Sequence, residues 1–567
     1  MSGIAAPAAR GGAKPHRGAH LGDFTVGPRM LLITGWALLV GAAGALATFA
    51  LLRLIGLVTN LVFFQRVSTT MTAPGGHHPW WLVLLAPVAG GLVIGLMARF
   101  GSEKIRGHGM PEAIEAILTG GSRVAPKVAL LKPVSAAISI GTGGPFGAEG
   151  PIIMTGGAIG SILAQSLRLS ADERKTLLVS GAAAGMAATF NSPMAAVLLA
   201  VELLLFEWRP RSFVPVVGAV AVATLCRGPL LGTAPVFPVP TAGLHVSTAA
   251  DALCVAAGLI GGGLAVVATW LVYRAEDAFA RLPFHWMWWP AIGGAIIGVG
   301  GLFEPRALGV GYDVIDQLLT GRATTSLIIG ILVVKTLIWS LSLGSGTSGG
   351  VLAPVFMIGG ALGAAEGLVF PHVLPGFWAM TGLAAVVGGV MRSPLTGVVF
   401  TLELTHAWPA ALPLLISSTA AYALSVLLLK RSVLTEKIAR RGLHLTREYS
   451  TDPLETFFVE EVMDRQVDLS TPPAGKPPAV FVRPDDTLRQ VAHLFAEHGI
   501  TEAAVLAHHP ADRAIGVIRL PHLLHARLHD LTEEHHRQRH LPRPASSEPA
   551  PVTGGTPTDG KQPVLEH

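Results

Sequence analysis

The sequence predicts an all-α polytopic membrane protein with a small α/β segment appended towards its C-terminal end. Three observations carry that class. Of the 567 residues, 51% are hydrophobic and only 14% charged, against roughly 25% charged in an ordinary soluble domain. Mean hydropathy is +0.54, which excludes a conventional water-soluble enzyme and, for most of the chain, disorder. Long apolar runs follow one another from residue 31 to residue 429, with basic residues gathered at their ends, where such residues set membrane orientation. The net charge of +5 and pI of 9.4 therefore do not describe a nucleic-acid-binding stripe. Cys226 and Cys254 lie in apolar surroundings and make no disulfide framework.

Residues 1–29 carry Arg10, Lys14, Arg17 and Arg29 among Gly, Ala and Pro. No short apolar stretch with a small-residue cleavage site follows, so this is not a signal peptide. The run 31–64 is apolar except for Arg53 and Asn60. As a helix it would be about 50 Å long, against a hydrocarbon core of about 30 Å, so it tilts strongly or its ends protrude. Further apolar runs occupy 80–97, 125–139, 152–167, 176–206, 213–224, 253–273, 286–302, 326–343, 351–370, 377–391, 394–404 and 408–429. Several are too short to span, and Gly or Pro interrupts many. Broken helices at membrane depth are tolerated only where they line a cavity or site. That points to transport rather than to a receptor or an anchor.

Composition changes after Gly442. In 443–530 the pattern reads strand (479–482), helix (487–498), strand (502–507), strand (514–519) and helix (521–528). The stretch 531–567 is rich in His, Arg, Pro and Gly without apolar periodicity, and is predicted to be disordered. The expected organisation is thus 1–29, a membrane domain over 30–442, a soluble domain over 443–530 and a tail.

An internal repeat is the most informative feature. Residues 141–160 read GTGGPFGAEGPIIMTGGAIG and 344–363 read GSGTSGGVLAPVFMIGGALG; at an offset of 203, nine of the twenty positions are identical. The same offset pairs Lys132 with Lys335, and an offset of 201 pairs Asn191-Ser192-Pro193 through Glu202 with Arg392-Ser393-Pro394 through Glu403. The repeats are bounded at about 80–230 and 285–442. Homologous halves with broken helices at matching positions mark a transporter's central site. Each broken helix opens with a glycine-rich loop and a proline, which suits a helix N-terminus. Such an end exposes N–H groups and about half a positive charge, so ends that converge make an anion site.

These residues resemble the CLC family of chloride channels and proton-coupled chloride antiporters. Three loops match in order: Gly107-His108-Gly109-Met110-Pro111, Gly147-Ala148-Glu149-Gly150-Pro151 and Gly350-Val351-Leu352-Ala353-Pro354. The resemblance runs from about Pro28 to Gly442. It implies inverted repeats of broken and tilted helices, and a homodimer in the lipid bilayer with one anion pathway per subunit. It also implies a bacterial inner-membrane location with both termini cytoplasmic. Basic residues near Arg29 and at Lys430, Arg431, Lys437, Arg440 and Arg441 agree with that orientation.

The resemblance makes Glu149 the gate and outer proton carrier, and an ionisable residue at membrane depth is a functional candidate in its own right. It assigns anion binding to His108, Gly109 and Met110, to Gly147, Ala148 and Gly150, to Val351, Leu352 and Ala353, and to Leu434. The chain departs from the family's pattern at four of its positions. His108 replaces a serine; its imidazole can donate to an anion or turn to a backbone carbonyl, and it titrates near neutral pH. Leu434 stands where many members place tyrosine, and Leu352 where phenylalanine is common. Leu203 replaces the inner proton-transfer glutamate of the antiporters and cannot carry a proton, whereas Glu202 matches the glutamate before it. The repeat mate Glu403 suggests a structural role for Glu202.

The soluble segment resembles a CBS-type domain, entered at Val459-Glu460-Glu461-Val462-Met463 and present in one good copy. Nucleotide binding there and a surface or assembly role stay open; no other cofactor and no metal is expected. Two other classes compete. Gly346-Thr347-Ser348-Gly349-Gly350 matches a serine-nucleophile pattern that needs a histidine base, His372 or His406 by distance in sequence alone. A cation transporter would supply carboxylates or carbonyls where helix N-termini dominate here. The expected function is chloride transport, passive or weakly proton-coupled because of Leu203, with proton-coupled antiport as the alternative.

Overall fold

The apolar runs fold as helices in a computed structural model, which describes residues 27–76, 78–118, 121–441, 454, 457–465, 480–507, 514–526 and 528. Residues 1–26 of the expected N-terminal segment, position 479 of the first expected strand and the expected tail 531–567 lie outside the described residues. The first half contains α1 (Arg29–Phe64), α2 (Trp80–Phe100), α3 (Met110–Leu118), α4 (Pro126–Gly141), α5 (Glu149–Ser166), α6 (Ala171–Phe190), α7 (Pro193–Ala200) and α8 (Pro210–Leu231). The second contains α9 (Thr248–Ala280), α10 (Trp289–Phe303), α11 (Tyr312–Leu319), α12 (Thr325–Gly330), α13 (Thr336–Gly344), α14 (Leu352–Glu366), α15 (Phe377–Met391), α16 (Pro394–Thr405) and α17 (Ala411–Leu428). The short α18 (Glu436–Arg440) follows. Seven helical spans among the described residues are long and apolar enough to cross a membrane. The 36-residue α1 is the longest, as expected for a helix that tilts or protrudes.

The inverted repeat is broader than the sequence indicates. Helix α1 packs on α6 and α8 as α9 packs on α15 and α17, so each repeat begins one helix earlier than 80 and 285. Neither long helix carries a loop motif, and generic apolar residues align with anything. The breaks are repeat-symmetric as well. The apolar run 176–206 is not one helix: α6 stops at Asn191, which is left-handed with φ 55°, and α7 restarts at Pro193. Arg392, also at φ 55°, and Pro394 do the same between α15 and α16. Proline lacks the N–H that would continue the ladder and pushes the preceding residue out of the helical region.

The described residues fall into two compact units, His20–Arg447 and one drawn from Glu448–His567. The second is a small α/β unit that fits the expected CBS-like segment. Its strands β1 (Phe481–Val482), β2 (Glu502–Leu506) and β3 (Ala514–Arg519) form a sheet in that order, β1 parallel to β2 and β2 antiparallel to β3. Between β1 and β2 the helix Leu488–His498 opens on a capping box, in which Thr487 and Gln490 each bond the other's backbone N–H. Val482, Leu488, Val491, Phe495, Val505 and Ile518 form its buried core.

Candidate functional site

Three glycine-rich loops meet inside the membrane unit. The Gly107 N–H donates to the Gly346 carbonyl at 3.3 Å. Gly147 and Gly350 exchange N–H···O bonds of 3.3 and 2.7 Å, so loops from the two repeats are paired directly. Helices α3, α5 and α14 start just beyond these loops, and their first residues, Met110, Glu149 and Leu352, line one cavity of about 10 Å³. Three helix N-termini, each with N–H groups that lack a partner within their own helix and with partial positive charge, therefore border the same small space. His108, Gly150, Ile153, Met186, Val351, Met391 and Leu434 complete its wall. Of the expected anion-site residues, Gly109, Gly147, Ala148 and Ala353 lie in the same loops but outside the lining. Ile153, Met186 and Met391 were not anticipated; an apolar lining residue carries no chemical signature in sequence.

Glu149 is buried at this junction. Its Oε1 accepts the Ala353 N–H of α14 at 2.6 Å, while Oε2 has no hydrogen-bond partner. A carboxylate from one repeat thus sits at the helix N-terminus of the other, where a free anion would be held. Glycine makes the room: a Cβ added at Gly350 would lie 2.8 Å from the carboxylate carbon, and one at Gly147 would overlap both carboxylate oxygens.

A repeat-symmetric pair of lysines supports the loops. Buried Lys132 donates from Nζ to the Ile105 and Gly107 carbonyls at 2.8 and 2.6 Å. Buried Lys335 donates to those of Ala307 and Gly309 at 2.8 and 2.7 Å. The two targets are equivalent Gly-x-Gly loops, with Gly107 and Gly109 at φ 75° and 85° and Gly309 and Gly311 at 66° and 80°, a conformation open to glycine without strain. The Lys132/Lys335 pair is legible in sequence; its acceptors are not, because they lie 25 to 28 residues away.

His108 is buried, and its Nδ1 has no hydrogen-bond partner. Its residue lines the small cavity on one side and, on the other, a vestibule of about 540 Å³ that also contains Arg106, Glu112, Tyr273, Lys437, Arg440 and Arg441. Glu112 Oε1 accepts from Lys437 Nζ at 2.8 Å and from Arg441 at 3.4 Å. Among the described residues no cluster of His, Cys, Asp and Glu could hold a metal ion.

The voltage-gated chloride channel family model matches residues 90–426. The chain is 31% identical over 425 residues to the H(+)/Cl(-) exchange transporter ClcA of Citrobacter koseri, covering 70% of this chain and 85% of that one. The chain belongs to the CLC family. It is also 29% identical to the voltage-gated ClC-type chloride channel ClcB of Salmonella typhimurium, over 70% of this chain and 96% of the relative. A solved slow cyanobacterial Cl-/H+ antiporter shares the CLC fold, with a TM-score of 0.63, 22% identity, and coverage of 74% of this chain and 99% of that one. The protein is an integral, multi-pass CLC membrane protein that transports chloride.

Within this CLC frame the remaining expected residues separate. Leu203 is fully buried in the π-turn Val201–Leu205 and lines neither cavity. Glu202 Oε2 accepts the Thr396 N–H at 3.1 Å and its hydroxyl at 2.5 Å, at the start of α16. Glu403 returns the favour of position at the start of α7, accepting the Met194 and Ala195 N–H groups at 3.0 and 2.8 Å. The serine-nucleophile pattern is part of the loop packing. Ser348 Oγ pairs with Ser135 Oγ at 3.0 Å, and His372 and His406 are exposed and are not its partners.

Proposed function

We propose that chloride crosses the bilayer through the small cavity and the vestibule, with Glu149 as the gate, and that transport is passive or weakly coupled to protons. The observation that carries this reading is the Glu149 carboxylate bonded to the Ala353 N–H, an anion position filled by the protein's own anion. Chloride then enters when the carboxylate leaves, whether displaced by chloride or discharged by a proton. Weak coupling rests on Leu203: a buried hydrocarbon at the expected inner proton position relays nothing. A second reading, proton-coupled antiport, is favoured by the exchange transporter named among the relatives. We further propose a homodimer with one pathway per subunit, in a bacterial inner membrane with the termini and the vestibule cytoplasmic. The basic cluster of Lys430, Arg431, Lys437, Arg440 and Arg441 supports that orientation.

The test is chloride flux from proteoliposomes across a pH series, for wild type and Glu149→Gln. The amide mimics the protonated gate, so flux is retained or raised and its pH dependence flattens. An identical pH profile for the two proteins would remove Glu149 from the gate. Reversal potential under a chloride gradient separates the two coupling readings.

A further inference from the structure

His108 belongs to both cavities, and no other described residue lines both. On one side of it stands Glu149 and on the other Glu112. His108 and Glu112 are only 5% and 6% exposed, and His108 Nδ1 and Glu112 Oε2 are buried without hydrogen-bond partners. Buried polar atoms are nearly always paired, and each exception calls for a reason. A group that must accept and release a proton needs a free site on each side.

We infer that His108 and Glu112 pass protons between Glu149 and the vestibule along the anion pathway itself, by a route that avoids Leu203. The inference rests on the reading of Glu149 as a protonatable gate. Protonated Glu149 gives its proton to the bare ring nitrogen of neutral His108, directly or through one water, leaving a carboxylate and an imidazolium. The imidazolium then releases the proton on its other nitrogen to Glu112 Oε2, which leaves a neutral ring of the opposite tautomer, and a half-turn of the ring about χ2 brings the bare nitrogen back to the Glu149 side before the next proton. Neutral Glu112 loses that proton to vestibule water. Only O–H and N–H bonds form and break, and charge balances at each step.

The charges facing His108 act on an imidazolium in opposite senses. Glu112 attracts it, whereas Lys437 on α18 and Lys132 on α4 oppose it. Arg106 on the same segment and Arg440 and Arg441 line the vestibule wall. All five cations have partners: Lys132 on two loop carbonyls, Lys437 on Glu112, Arg106 on Glu103, Arg440 on Asp277, and Arg441 on Glu112 and Glu115. On the cavity side the facing ionisable group is Glu149. A chloride in the cavity favours the imidazolium when the gate carboxylate has left, so proton and anion occupy the histidine's surroundings together. Protons then move slowly and only with chloride present, which is weak coupling.

The experiment measures uphill proton movement and chloride flux together in proteoliposomes of the full chain under a chloride gradient. Wild type moves protons measurably. A positioned acid–base group contributes on the order of a hundredfold, so His108→Gln and Glu112→Gln each lower the proton-to-chloride ratio at least about tenfold, and Leu203→Ala leaves it within about twofold. Glu112→Gln keeps an acceptor oxygen for Lys437 and Arg441, and serves where His108→Gln does not reconstitute. A merely structural role lowers both fluxes together and preserves the ratio, which overturns the inference. So does a wild type that moves no protons, or a ratio lost in Leu203→Ala. Glu149→Gln in the same assay keeps the two claims apart: if its chloride flux loses pH dependence while the ratio survives in both glutamine variants, the gate stands and the relay falls.

Discussion

At the scale of single residues, the proposed gate is defined as much by an absence as by Glu149. Gly147 has no side chain, and the Glu149 carboxylate occupies the volume where one would be. Gly147→Ala therefore pushes the carboxylate from the Ala353 N–H without touching its charge. Overpacking of this kind costs about 1–3 kcal/mol, which is about 5- to 150-fold against the closed position. The expected outcome is higher chloride flux at neutral pH and a flatter pH profile, close to that of Glu149→Gln, read by flux from proteoliposomes. An alanine variant with the wild-type profile would show that the closed position tolerates the methyl group. Glu149 and the three loops are legible in sequence because backbone geometry demands glycine and proline at set positions. Met186 and Met391 are not, since any apolar side chain of similar size fits their place in the wall.

At the scale of elements, α7 and α16 exchange caps across the repeat interface. Ser192 and Ser393 stand at the N-cap positions of these helices, yet neither side chain caps its own helix. Glu403 and Glu202 do it from the opposite repeat. A carboxylate at a helix N-terminus satisfies orphan N–H groups and meets the positive end of the dipole. Glu403→Ala and Glu202→Ala should each lose about 1–2 kcal/mol of stability, the former more, because Glu403 is the more buried. Thermal unfolding of the detergent-solubilised protein measures both. The double variant should depart from additivity, because the two caps share one helix–helix contact. Equal stability of Glu403→Ala and wild type would mean that water replaces the cap. The sequence pairs these glutamates by their place in the repeat; that each serves the other's partner helix follows only from the packing.

At the scale of the whole molecule, the chain is two units with separate apolar cores, and their pH responses should differ. In the soluble unit His522 Nδ1 accepts the Arg519 N–H at 3.2 Å, which requires an unprotonated nitrogen. Burial, then the Arg519 charge, holds His522 below the ordinary imidazole value of 6.5. A folded value below the unfolded one means that the contribution is present above 6.5 and is lost as pH falls beneath it. Amide-exchange protection factors over β1, β2 and β3 should therefore fall between about pH 7 and about pH 5, and His522→Gln should flatten that change. Equal pH dependence in the two proteins would free His522 of this role.

The sequence by itself determined the membrane class, the doubled architecture and the loops that carry the site. Those properties are local: hydropathy is additive along the chain, and helix ends inside a membrane require glycine and proline wherever they occur. Only the tertiary structure decided which groups meet. Glu149 finds Ala353 across 204 residues, Glu202 and Glu403 each reach the other's repeat, and His108 becomes the wall common to two cavities. The same decision added α1 and α9 to the repeats and divided the run 176–206 at Asn191. Contacts of this kind are set by how inverted halves interlock. A carboxylate, an imidazole or a lysine looks the same in sequence whether it caps a helix, lines a pathway or faces lipid, and only burial and the partner within hydrogen-bond reach distinguish these fates.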